Sequence, residues 1–222
     1  FSGDGIYKNK DNLTQLLSAA ANNDIKLIDV GCVSTKPGFK DVTQEEEFTR
    51  LNFFLDNYDG AFRLSIDTMN KVIAKHALDN NFEILNDVSG FRDPGMIELA
   101  VEKSSKIILV HSHPNASHIQ EKMEFKDVVQ EVKAQLEIKI NYLISKGIKE
   151  WQISIDPGLG FGKTMRDSEI LFKNLDVFCF DFPLVVGYSK KKFTENLNMT
   201  NNQLYQHCID SGAALVRLHI AS

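Results

Sequence analysis

Short apolar runs that break off at a polar residue recur from one end of the chain to the other. The run Ile153-Ser154-Ile155 stops at Asp156 and passes into Pro157-Gly158-Leu159-Gly160-Phe161-Gly162-Lys163-Thr164. Six more have the same form. Leu27-Ile28 leads to Asp29, Val30 and Gly31; Leu64-Ser65-Ile66 leads to Asp67; Ile84-Leu85 leads to Asn86 and Asp87; Ile107-Ile108-Leu109-Val110 leads to His111; Leu184-Val185-Val186 leads to Gly187; and Ala214-Leu215-Val216 leads to Arg217. Runs of this length, closed by Gly, Pro or a charged residue, read as buried parallel strands followed by βα loops. Between them the apolar spacing turns helical. Val128, Val129, Val132, Leu136, Ile140, Leu143 and Ile144 share one face ahead of Gly147, which ends that helix. Thr43, with Glu46 three residues on, predicts a capping box for a helix carrying Phe48, Leu51 and Phe54. Further helices are predicted within residues 13–20, 72–77, 96–100, 170–178 and 204–209.

Strand and helix alternate throughout, so the sheet is parallel and the fold is either a closed (β/α)8 barrel, the TIM barrel, or an open doubly wound sheet. An open sheet gathers its ligand at one switch point, and polar groups at every strand tip would serve no purpose there. Polar tips on all seven runs favour the barrel, whose site is assembled from every βα loop. A barrel needs an eighth strand. The chain opens on a glycine-rich loop, Phe1-Ser2-Gly3-Asp4-Gly5, and stops at Ser222 soon after a strand, so the first strand and last helix are expected outside the given residues.

Composition adds little beyond exclusions. With 222 residues, 43% of them hydrophobic, residues 1–222 read as a single domain, and a net charge of -5 argues against a nucleic-acid footprint. No apolar stretch approaches the length of a membrane span. Cys32, Cys179 and Cys208 lack a zinc or C-x-x-C spacing, which predicts reduced thiols in a cytoplasmic protein.

The segment from Asp156 to Thr164 nearly spells a phosphate-binding loop. A Walker A loop needs glycine where Pro157 stands, and a dinucleotide fingerprint needs one at Lys163, so neither fits. Asp29 and Asp87 read equally well as site residues or as helix N-caps. His111 and His113 alternate like a metal pair, but with no third ligand in view a satisfied core or loop histidine is the better reading. Lys190-Lys191-Lys192, directly after a buried run, is expected at the barrel mouth.

Taken together the tips spell a family pattern. In order they are Phe1-Ser2-Gly3-Asp4-Gly5; Ile28-Asp29-Val30-Gly31 with Ser34-Thr35-Lys36-Pro37-Gly38; Ser65-Ile66-Asp67-Thr68; Asn86-Asp87-Val88-Ser89-Gly90; Asp156-Pro157-Gly158 with Gly160-Phe161-Gly162-Lys163-Thr164; Gly187-Tyr188-Ser189-Lys190-Lys191; and Arg217-Leu218-His219. Spanning nearly the whole chain, these motifs resemble the dihydropteroate synthases of folate synthesis. The resemblance implies a barrel transferase that joins 6-hydroxymethyl-7,8-dihydropterin diphosphate to 4-aminobenzoate, releasing diphosphate. Carried over position by position, it gives Asp156 the pterin's aminopyrimidinone edge, Asp67 and Asn86 the ring's other polar positions, Phe161 a wall of the pocket, and Lys191 a bond to the ring. Arg217 and His219, at alternate positions of one strand and so facing one side, hold the diphosphate together with Thr35. Asp4 stabilises the cation left when diphosphate departs, and loops containing Phe1 and Pro37 complete the aminobenzoate pocket. The catalytic assignments are therefore Asp4, Lys191, Arg217 and His219.

Magnesium is the implied cofactor. The family's protein ligand to it is an asparagine on the first strand, which would precede Phe1, so no ligand is assigned in this chain. Family members are commonly homodimers, and some are fused to an upstream pyrophosphokinase. The chain departs from the family pattern at Cys32, Val33 and Lys36 in the second loop, at Lys190 and Lys192, and at Val110-His111-Ser112, where methionines are usual; Gly3 is an insertion before Asp4. Two other functions stay open. A corrinoid-linked methyltransferase of the same pterin-binding group would share the Asp and Asn pocket without a diphosphate clamp, and a non-catalytic paralogue would bind pterin without forming product.

Overall fold

The computed structural model of the chain describes residues 9–33, 42–113 and 122–219. All seven apolar runs form strands: β1 Leu27–Gly31, β2 Arg63–Asp67, β3 Ile84–Asp87, β4 Lys106–Val110, β5 Ile153–Asp156, β6 Leu184–Gly187 and β7 Ala213–Arg217. They lie side by side in chain order, each parallel to the next. The crossovers are helices: α2 Gln44–Asp56, α3 Lys71–Asp79, α4 Pro94–Lys103, α5 Val128–Ser145, α6 Met165–Lys173 and α7 Asn201–Asp210, with α1 Lys10–Asn22 ahead of β1. Sequential order with a helix between each strand and the next rules out the doubly wound arrangement, which reverses direction at a switch point.

The sheet curls. Arg217 on β7 reaches across to donate to Asp29 on β1 at 2.9 Å and to Asp67 on β2 at 3.1 Å, so the first and last strands face each other over one mouth. Among the described residues β1 and β7 are not paired with each other, and the sheet remains a curled seven-stranded parallel sheet.

Strand parity divides its two faces. Outward residues Ile28, Val30, Leu64, Ile66, Leu85, Ile107, Leu109, Ile153, Ile155, Leu184 and Val186 join the helices in one large core. Inward residues form a smaller cluster of Ile84, Ile108, Val110 and Val185, with Phe161 and Val88. At about 1.5–3 kcal/mol for each fully buried large aliphatic side chain, the outer layer carries most of the stability. The inner face is thereby left free to end in polar groups.

Helix starts follow local capping chemistry, with corrections to two expectations. Thr43 does accept the Glu46 N–H at 3.2 Å, but the Glu46 carboxylate pairs with Arg50 at 3.0 Å instead of returning to the cap, so only half of the box forms. Complete boxes occur at Thr164 with Asp167 and at Thr200 with Gln203. The helix expected within residues 170–178 begins earlier and breaks at Asn174, leaving α6 and a separate 3-10 turn Leu175–Phe178.

Candidate active site

The C-terminal ends of the strands deliver their polar side chains to the mouth of the curl. Asp67 and Asn86 are register partners on β2 and β3, and Asp67 also sits opposite Gly31 of β1. Asn86 donates through Nδ2 to Asp29 Oδ2 at 2.9 Å, the oxygen that also accepts from Arg217 Nη1. Asp29, Asp67, Asn86 and Arg217 are thus one network. Gly187 makes room for it, since a β-carbon there would meet Arg217 Nε at 3.3 Å. Two atoms of the network are buried and lack a hydrogen-bond partner, Asn86 Oδ1 and Asp29 Oδ1. Unsatisfied acceptors of this kind are uncommon in folded proteins and call for a donor.

The opposite wall comes from β5 and the loop after β6. Asp156 Oδ1 accepts the Gly158 N–H at 2.7 Å. Lys191 donates to the carbonyl of Leu159 and lies with Nζ 5.0 Å above the Phe161 ring, in cation–π range. Lys190, at φ 58°, turns the chain so that Lys191 faces inward while Lys190 and Lys192 stay exposed. Of the expected cluster, only the middle lysine therefore enters the site.

Charges across the mouth are tightly coupled. Burial and the neighbouring Asp29 push the Asp67 carboxyl up to about 7, against the pull of Arg217. Burial lowers Lys191 to about 8, with Asp156 opposing that shift and Arg217 adding to it. Burial also works against the Arg217 charge, but Asp29, Asp67 and Asp156 outweigh it and hold the guanidinium above its ordinary value. The mouth is therefore an alternation of acid and base that reads as a set of donors and acceptors for a flat polar ligand, with a guanidinium for an anion beside it.

Other assignments fall differently. β7 ends at Arg217, and His219 stands beyond it, exposed, with its backbone N–H on Ser189 Oγ at 3.3 Å. The strand alternation expected to pair Arg217 with His219 therefore stops at Arg217. Phe1, Asp4, Thr35 and Pro37 lie outside the described residues. Asp29 is no N-cap but the centre of the mouth network; its parity with Leu27 and Gly31 was the available signal. Asp87 points to the outer side and closes a turn on the Ser89 N–H at 2.8 Å, while Asp93 caps α4. His111 is a buried histidine held by Gln135 at 2.9 Å and Lys163 at 2.9 Å. Among the described residues no three His, Cys, Asp or Glu side chains group as metal ligands, and no helix is long and apolar enough to cross a membrane.

Comparison with known proteins extends the likeness along the chain. A family model described as pterin binding enzyme matches residues 1–219. A dihydropteroate synthase from Streptococcus pyogenes is 31% identical, the match covering 99% of this chain and 85% of that protein. A probable bifunctional folylpolyglutamate synthase/dihydropteroate synthase from Haloferax volcanii is 29% identical over 99% of this chain, which spans only 27% of that longer protein. Among solved structures, Burkholderia cenocepacia dihydropteroate synthase complexed with 7,8-dihydropteroate superposes with a TM-score of 0.85 at 26% identity, covering 95% of this chain and 81% of that one.

Proposed function

The chain belongs to the pterin-binding enzymes and, among them, to the dihydropteroate synthases, a family of transferases, and from that premise we propose the following division of labour at its mouth. The substrates are a dihydropterin diphosphate and 4-aminobenzoate. The pterin ring enters edge-on, its N–H donors meeting Asp156 and the unpartnered Asn86 Oδ1, with Asp67 on a further polar position and Phe161 beneath the ring. The buried acceptors without a donor, Asn86 Oδ1 and Asp29 Oδ1, are the observation that carries the reading, since a heterocycle bearing N–H groups can satisfy such acceptors and an apolar ligand cannot.

The C–O bond to the diphosphate breaks with its electron pair leaving on oxygen, and the amine nitrogen of 4-aminobenzoate then forms the new C–N bond and sheds a proton. Arg217 opposes the growing negative charge. Both of its bonds to Asp29 and Asp67 use Nη1, so the rest of the fork can turn to an anion. Pre-placed donors of this kind are typically worth about 10²–10³ in rate. Thr35, Asp4, Phe1, Pro37 and His219 keep the roles that the resemblance implies. Magnesium is part of the proposal as a companion of the diphosphate, to whose oxygens it would contribute charge neutralisation; the described residues offer it no ligand set, and no step here runs through it. Closure of the curled sheet into an eight-stranded barrel is likewise proposed, supported by the ion pairs that run from Arg217 on β7 to Asp29 on β1 and Asp67 on β2. A homodimer in the cytoplasm completes the reading. One relative joins this activity to a folylpolyglutamate synthase rather than to a pyrophosphokinase.

The test is product formation. The purified protein, given the pterin diphosphate, 4-aminobenzoate and magnesium, is expected to form 7,8-dihydropteroate and release diphosphate, and to lose that activity with EDTA. Pterin binding without product would instead favour the non-catalytic paralogue, and methyl transfer from a methylated folate to a corrinoid would favour the methyltransferase.

A further inference from the structure

Lys163 ends the glycine-rich loop after β5, and it is buried, with 6% of its surface exposed. Its Nζ has four acceptors: His111 Nδ1 at 2.9 Å, Gly158 O at 3.0 Å, Phe161 O at 3.1 Å and His111 O at 3.2 Å. An ammonium has three protons, so these neighbours saturate it without any carboxylate in hydrogen-bond contact. Burying a lysine is costly unless the charge is fully met, and here carbonyl dipoles meet it. Burial pushes its pKa down to about 7, opposed by Asp156 and helped by Lys191.

The acceptors are distributed in a telling way. His111 is the tip of β4, whereas Gly158 and Phe161 bracket the loop after β5. Asp156 is tied to both partners: its carbonyl accepts the His111 N–H at 2.8 Å and its carboxylate accepts the Gly158 N–H at 2.7 Å. The strands press close here, for a β-carbon on Gly158 would stand 1.8 Å from His111 O. Because His111 Nδ1 accepts from the ammonium, its Nε2 carries the proton and donates to Gln135 Oε1 on α5. The imidazole therefore passes the restraint outward to a helix.

We propose that Lys163 is a positioning residue for pterin recognition, its ammonium cross-bracing the β4 tip and the β5 loop so that the Asp156 carboxylate and the Phe161 ring are presented in the geometry that receives the heterocycle. This rests on the proposed function. It differs from a purely structural role in predicting a loss confined to the pterin side of the reaction.

The experiment compares the full chain with Lys163→Met, measuring thermal stability, the Kd of 7,8-dihydropteroate by calorimetry, and KM for 4-aminobenzoate at saturating pterin diphosphate. The bracing role predicts a tenfold or greater rise in Kd with KM for 4-aminobenzoate changed less than threefold. A folded Lys163→Met protein with wild-type Kd would overturn it. If that variant does not fold, Gln135→Leu takes its place: it leaves the loop intact but frees His111 from α5, and is expected to raise Kd at least threefold while moving the His111 ring nitrogen signals of ¹⁵N-labelled protein. Moved signals with unchanged Kd, or unmoved signals, would contradict the brace. Wild-type protein that binds no dihydropteroate would contradict the proposed function itself, and tight binding by wild type and variants alike would contradict only the brace.

Discussion

Asn86 and Asp87 are neighbours with opposite fates, and strand parity alone decides which is which. Asn86 faces the mouth and keeps an unpartnered oxygen there, whereas Asp87 turns outward into a loop contact. The tip residues Asp67, Asn86 and Asp156 were legible in the sequence because each follows a run too short and too apolar to be anything but a buried strand. Asp29 and Lys163 were not. Asp29 read equally well as a cap or a site residue, and Lys163 resembled the end of a failed phosphate loop; what they bond to comes from strands and loops far off in the chain. Asp156→Asn isolates the pterin contact, because an amide oxygen can still accept the Gly158 N–H. A charge-assisted bond is worth roughly 1.5–3 kcal/mol, so its loss is expected to weaken pterin binding about ten- to a hundredfold, read by calorimetry, with the melting temperature little changed.

His111 makes a pH prediction at the same level. Burial, then the adjacent Lys163 charge, push its pKa down to about 3 from an ordinary 6.5. Between those values the unfolded chain binds a proton that the folded chain refuses, so this residue's contribution makes stability fall as pH drops through the window. Asp67, raised to about 7, works the other way above 3.8, holding a proton in the fold that the unfolded chain releases. Subtracting the stability of His111→Gln from that of wild type cancels the Asp67 effect. In urea titrations between pH 4 and 6.5 the difference is expected to shrink on acidification, by at most about 1.4 kcal/mol per pH unit. A difference independent of pH would mean that His111 is not held neutral.

Helices were predicted with fair bounds wherever apolar spacing ran long, as in α5, whose buried face of Val128, Val129, Val132, Leu136, Ile140 and Leu143 matches the expected one. Caps were harder, because a capping motif competes with every other partner within reach. Glu46 takes Arg50 and abandons Thr43, while Asp167 and Gln203 have no such rival and complete their boxes. The residues after α6 show the same competition, with Asn174 ending the helix and a tighter turn carrying Leu175 and Phe178 into the core. Thr200 caps α7, its Oγ1 accepting the Gln203 N–H at 3.3 Å, so Thr200→Ala tests that helix start. It is expected to cost about 1 kcal/mol, or about 2–4 °C of melting temperature, with kcat/KM unchanged. A loss of activity would mean that the start of α7 supports the site through the loop after β6.

Across the whole molecule, seven parallel strands in chain order give a curled wall whose outer face is apolar and whose inner face ends in charge. The alternation of strand and helix made that architecture readable, and each of the seven apolar runs forms a strand among the described residues. The closing contact was not readable, since it depends on Arg217 meeting Asp29 across most of the chain length. That meeting draws β1, β2, β3 and β7 into one network at the mouth. The most direct test is a crystal structure of the protein soaked with a pterin diphosphate. The ring is expected in the mouth, its N–H edge within hydrogen-bond distance of Asp156 and Asn86 Oδ1, with Phe161 against its face and the diphosphate at Arg217. A ring bound elsewhere, or one in the mouth that makes no hydrogen bond to Asp156 and leaves Asn86 Oδ1 unpartnered, would contradict this assignment.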